Sequence, residues 1–180
     1  MVPAGDRAPA DTAAVLTCIG QDRPGLVNAI AEAVSAAGGN WLESKLEHLA
    51  GQFAGILLLR LPAQNISALT AALQALPGLS VTIAQGTDEP EPPREPLTLE
   101  LLGHDRPGIV RDVTQALTKL GVNIEDFCSS IESAPFTGED MFRATLKLGL
   151  PEHVSADEVR RVLEKLADEI MVDISTGVEA

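Results

Sequence analysis

Apolar residues recur along the chain with two periods, and each switch between them marks an element boundary. Ala13 to Ile19 is a short apolar run of strand length. From Pro24 to Ala37 the spacing turns helical, with Leu26, Val27, Ile30, Val34 and Ala37 on one face. Pro24 suits a first helical turn, where its fixed φ fits and its missing N–H costs nothing. Asp22 is placed to cap the free N–H groups that follow, and Gly38-Gly39 stops the helix. Asn40 to Ala50 and Gln52 to Leu61 are strand candidates around Gly51, which predicts a hairpin. Ile66, Leu69, Leu73 and Leu76 mark a second amphipathic helix ended by Pro77-Gly78, and Leu79 to Ala84 supplies a last strand. The predicted order is βαββαβ.

The chain then repeats itself. Leu16 to Val27 aligns with Leu99 to Val110 at an offset of 83, and the match runs on through Ala33 and Ala116, Gly38 and Gly121, and Asn40 and Asn123. Leu61-Pro62 realigns with Leu150-Pro151 at an offset of 89, which places an insertion of about six residues near Ser133 to Gly138, where a turn tolerates it. The second copy puts Ile109, Val110, Val113, Leu117 and Leu120 on its first helix and Val159, Val162, Leu163, Leu166 and Ile170 on its second. Thr87 to Pro96, rich in proline and charge, reads as a semi-rigid spacer. The expected organisation is a first domain over residues 12–86, a linker over 87–96 and a second domain over 97–178. The fold class is α+β: two ferredoxin-like βαββαβ units, each an antiparallel sheet with its helices on one face. Units of this size leave a sheet face and edges to cover, and association of the two sheets within the chain is expected on that ground.

Composition narrows the function. The formal charge is -13, which repels phosphate backbones and anionic membranes, and aromatic residues make up only 3%, too few for base-stacking platforms. No direct nucleic-acid or membrane partner is expected, and with no apolar run of spanning length and no leader-like segment from Met1 to Asp11, a cytoplasmic location is the expectation. Cys18 and Cys128 lack metal-ligand spacing and read as reduced, buried thiols. HExxH, GxSxG and GxxxxGK are all missing, so no catalytic residue, metal or cofactor is assigned and the chain is not expected to be an enzyme.

One motif carries chemistry. Gly20-Gln-Asp-Arg-Pro-Gly25 and Gly103-His-Asp-Arg-Pro-Gly108 each open a helix after a strand, and each helix is followed by Gly-x-Asn. In this the chain resembles ACT domains, over both repeats. The tandem pair without a catalytic domain most resembles the glycine cleavage system transcriptional repressor family, whose members antagonise a DNA-binding activator and respond to glycine. The resemblance implies a sensor of a small amino acid that touches a protein partner such as a transcriptional activator. Helix-start N–H groups near Gly25 and Leu26, or Gly108 and Ile109, suit a carboxylate. A glycine there removes a Cβ from the path of a ligand. Asp22 or Asp105 suits an ammonium group, and Asn40 or Asn123 offers both donor and acceptor. The candidate ligand-binding residues are therefore Gly20, Gln21, Asp22, Pro24, Gly25, Leu26 and Asn40, with Gly103, His104, Asp105, Pro107, Gly108, Ile109 and Asn123 in the second copy. Serine-sensing relatives carry histidine in place of Gly20 and Gly103 and asparagine in place of Asp22 and Asp105, which leaves glycine and serine both open. Alternatives also stand: a plain helix start, a pair used only for oligomerisation, a regulatory subunit of a metabolic enzyme, and a monomer or a homodimer. Phe136 in the insertion is a candidate partner contact.

Overall fold

The computed structural model describes residues 11–86, 95–133, 139–165 and 171–175. The chain divides into two units between Pro90 and Glu91. The first comprises β1 (Asp11–Gln21), α1 (Leu26–Ala36), β2 (Asn40–Leu49), β3 (Gln52–Pro62), α2 (Ile66–Gln74) and β4 (Leu79–Gln85). The second comprises β5 (Glu95–His104), α3 (Ile109–Lys119), β6 (Asn123–Ser133), β7 (Asp140–Leu150), α4 (Ala156–Glu164) and β8 (Met171–Ser175). The sheets are antiparallel, with strand orders β2-β3-β1-β4 and β6-β7-β5-β8. Most of the linker, the insertion with Phe136, and Leu166 and Ile170 lie outside the described residues.

Alternation along the central strands sorts each sheet into a helix-covered face and an open face. Ala14, Leu16 and Cys18 of β1 and Leu57, Leu59 and Leu61 of β3 meet Leu26, Ile30 and Val34 of α1 and Leu69 and Leu73 of α2 in one buried cluster. The second unit repeats this with Leu97, Leu99 and Leu101 against Leu146 and Leu148, under Val113, Leu117, Val159 and Leu163. On α1 the buried stripe is Leu26, Ile30 and Val34, one residue every four, so Val27 falls off it and is 43% exposed. Val110 is displaced in the same way on α3, at 41%.

The ends of the elements follow from local chemistry. Beyond α1, the Gly38 N–H donates to Ser35 O and the Gly39 N–H to Val34 O, with Gly38 at φ 71, the paired bonds of a Schellman motif. Gly121 and Val122 repeat it on Thr118 and Leu117. Ala50 and Gly51, both at positive φ, form the two-residue β2–β3 turn. Ser155 caps α4 by accepting from the Glu158 N–H at 3.2 Å. The edge strands β2 and β6 each slip register early, between Trp41 and Glu43 and between Ile124 and Asp126, and β6 leaves Cys128 exposed rather than buried. That correction has a simple cause: Cys128 lies on the open side of an edge strand. Among the described residues no helix is long and apolar enough to cross a membrane.

Candidate functional site

The motif sits where β1 gives way to α1. The Asp22 N–H donates to Gly51 O at 3.1 Å and ties the segment to the β2–β3 hairpin. The Leu26 N–H donates back to Arg23 O at 3.3 Å, closing the four-residue turn Arg23-Pro24-Gly25-Leu26. Pro24 holds its second place and Gly25, at φ 84 and ψ 0, its third, which is a type II turn. The second unit matches it: the Asp105 N–H bonds Asp140 O at 2.9 Å, the Ile109 N–H bonds Arg106 O at 3.3 Å, and Gly108 has φ 89 and ψ 2.

Two expectations change with this geometry. The helices begin at Leu26 and Ile109, so Pro24 and Pro107 precede them instead of occupying their first turns. Gly25 and Gly108 are the residues at the N-cap, and no side chain caps either helix, so Asp22 is not a cap. Its carboxylate lies 3.8 Å from His48 Nε2 instead. Glycine at position 25 suits its positive φ, and no other protein atom lies within 4 Å of where a Cβ would stand.

Gln21, Asp22, Pro24 and Gly25 are exposed, as are His104, Asp105, Pro107 and Gly108. Gly20 and Gly103 are buried in the strands, and the side chains of Leu26 and Ile109 are core, so only their main chains are available to a ligand. The asparagines are elsewhere. Asn40 is opposite Arg60, which is opposite Ala13, and Asn123 is opposite Gly149, which is opposite Pro96. Gln21 is eight residues along the strand from Ala13, and His104 eight from Pro96, about 27 Å in each case. Each first helix carries the chain back along the sheet, so each unit's asparagine lies at the end remote from its own turn.

The second turn also holds an ion cluster that the motif alone did not reveal. Asp112 accepts from Arg106 Nη1 at 2.8 Å and from Arg111 Nε and Nη2 at 3.1 and 2.9 Å. In the first unit the positions equivalent to Arg111 and Asp112 hold Asn28 and Ala29. The hydrogen bond from Arg106, then that from Arg111, keeps the Asp112 carboxyl below its ordinary 3.8. The folded state thus holds this carboxylate ionised more firmly than the unfolded chain does. Its stabilising contribution is complete above the ordinary value and is lost as pH falls through the lower folded one. Asp112→Asn is therefore expected to lower the thermal midpoint at neutral pH, with the gap from wild type closing in acid. A gap that persists unchanged into strong acid would rule out the ion-pair explanation.

His104 Nδ1 approaches Glu139 Oε2 at 3.6 Å, so both turns are joined to their neighbouring hairpins by a histidine and a carboxylate, with the two roles exchanged between the units. A groove of about 300 Å³ runs between α3 and α4, lined by Asp112, Gln115, Ala116, Lys119, Leu120 and Val162. Among the described residues no cluster of three or more histidine, cysteine, aspartate or glutamate side chains is arranged to hold a metal.

Comparison with known proteins fits this architecture. Residues 12–85 and 97–144 each match an ACT domain, and the chain belongs to the ACT-domain proteins as a tandem pair. Over 171 residues it is 25% identical to the glycine cleavage system transcriptional repressor of Escherichia coli (strain K12), covering 91% of this chain and 88% of that protein. The crystal structure of a protein of unknown function from Galdieria sulphuraria is similar with a TM-score of 0.78 and 29% identity, over 91% of this chain and 97% of that one. A solved structure assigned to the glycine cleavage system transcriptional repressors shares the fold at a TM-score of 0.64 and 16% identity, over 92% and 98% of the two chains.

Proposed function

We propose that this protein is a regulator without catalytic activity, which senses a small amino acid, glycine or serine, and acts through contact with a protein partner such as a transcriptional activator. The observation that carries the reading is likeness over 91% of this chain and 88% of the relative to a transcriptional repressor, together with the ACT domain matched in each of the two units. The turn chemistry supports it. In the first unit the start of α1 has no capping side chain and no acidic residue in its first turn, so its N–H groups and partial positive charge suit a carboxylate. Asp22 and Gln21, exposed beside it, suit an ammonium group. In the second unit Asp112 already supplies a carboxylate to Arg106, which makes the first turn the better acceptor of a ligand carboxylate. Asn40 is too far from the turn of its own unit to share one glycine or serine molecule with it.

Thermal unfolding with each amino acid in turn tests this. A ligand at 100 times its Kd adds about 2.7 kcal/mol and raises the midpoint by several degrees. The expected result is a rise selective for glycine or serine and lost in Asp22→Ala. No rise with any amino acid overturns the sensor reading. A second reading, a pair that serves association alone, is favoured by the apolar open face of the first sheet, where Ile19 and Ile56 are exposed.

A further inference from the structure

The open faces of the two sheets differ although their frameworks match. In the first unit Val15, Thr17 and Ile19 of β1 lie opposite Leu58, Ile56 and Ala54 of β3, all on the side away from the helices. Neighbours at this spacing touch, so they form one contiguous patch, with Ile19 54% and Ile56 47% exposed. The internal repeat supplies a control. Thr98, Glu100 and Leu102 lie opposite Lys147, Thr145 and Arg143 at the equivalent places of the second unit. The fold is therefore satisfied with polar side chains at all of these positions but Leu102, and the apolar character of the first face answers to something else.

We propose that this face docks against the same face of a second copy of the chain, giving a two-fold sandwich of two first-unit sheets. Its layout is that of an interface, with an apolar centre on β1 and β3 and polar margins at Glu43, Lys45 and Glu47 of β2 and Ser80 and Thr82 of β4. Charge favours a second copy here. The whole chain carries -13, yet over residues 13–21, 43–49, 52–60 and 80–84 this face sets Glu43 and Glu47 against Lys45 and Arg60. Two acidic chains can meet on it without like-charge repulsion at the contact. Four strands spaced about 4.8 Å apart and about ten residues long present roughly 600 Å², close to the ~800 Å² per partner of a standard interface. Stacked sheets interdigitate their inner side chains about 10 Å apart, and an isologous contact needs only that one patch match itself. The inference stands apart from the ligand reading, since it requires no amino acid.

Sedimentation velocity of the full chain over a range of concentrations, in low and high salt and without amino acids, tests it. The expected result is a reversible monomer–dimer equilibrium, tighter in high salt as the net charge is screened. Ile19→Lys and Ile56→Lys should each weaken association at least about tenfold while the far-ultraviolet circular dichroism stays that of wild type. Thr17→Lys repeats the test at another exposed position of the patch should either variant fail to fold. Ile131→Lys, at an equally exposed apolar residue of the second unit, should leave association unchanged. A wild-type chain that stays monomeric at its highest soluble concentration overturns the proposal. So does a dimer indifferent to the lysines on this face, whose copies must then meet elsewhere.

Discussion

Leu57→Ala is expected to lower the unfolding free energy of the first unit by about 2–5 kcal/mol, the usual range for a fully buried leucine cut back to alanine. Leu57 is 0% exposed and sits on β3 between Leu16 of β1 and Ser44 of β2. It belongs to the cluster that also holds Ile30, Leu69 and Leu73, so its side chain joins the sheet to both helices. The strands around the gap are fixed by ladder hydrogen bonds on both sides, which limits how far they can collapse into it. In a unit of about 75 residues such a loss is a large share of the whole stability. Trp41, the chain's one tryptophan, packs against this same cluster, so its fluorescence during urea unfolding reports the unit directly. A shift below about 1 kcal/mol would mean that the site relaxes far more than a close-packed core does.

The order of elements was legible because the periods change where the chain turns. Leu57, Leu59 and Leu61 recur at two-residue spacing and became the buried side of β3, while Leu26, Ile30 and Val34 recur at four and became the buried stripe of α1. Glycine punctuation was equally direct at Gly38 and Gly121, where only a left-handed residue completes the helix stop. Val27 and Val110 were misplaced because hydrophobicity by itself does not say whether a residue one step off a stripe is covered. The register slips at Leu42 and Glu125 left no trace in the sequence, since one position is apolar and the other charged.

The site was legible as a segment and not as a geometry. Asp-Arg-Pro-Gly is compatible with a capped helix start and with a type II turn, and Pro-Gly at successive positions is the signal that selects the turn. With Gly25 itself at the N-cap, Asp22 is left three residues outside the helix start, where it faces His48. The distance between turn and asparagine follows from topology: a helix that returns along its sheet must start the next strand at the far end. Asp112 had a signal that comparison of the repeats offers, a carboxylate four residues beyond Gly108 where the first copy has Ala29. Asp112 lies outside the Asp-Arg-Pro-Gly segment, so the motif by itself carries no sign of it.

Gly20→Ala should destabilise the first unit by about 3 kcal/mol, a backbone effect at a position that the motif alone assigns to ligand binding. Gly20 lies on β1 between Phe53 of β3 and Leu79 of β4, where the chain leaving α2 comes in against it. A Cβ there would overlap the carbonyl oxygen of Gly78 and stand 3.1 Å from Leu79 Cα. Both obstacles are main chain, so relief requires parting β1 from β4, and no side-chain rotation supplies it. Gly25→Ala is the instructive contrast. It meets no neighbour and is strained only through φ 84, which costs roughly 1–2 kcal/mol. Urea unfolding followed by Trp41 fluorescence, without any amino acid present, separates the two causes. A larger loss for Gly20→Ala than for Gly25→Ala assigns the first glycine to strand packing and the second to the turn. Equal stability of Gly20→Ala and wild type would refute the packing account and return Gly20 to the ligand.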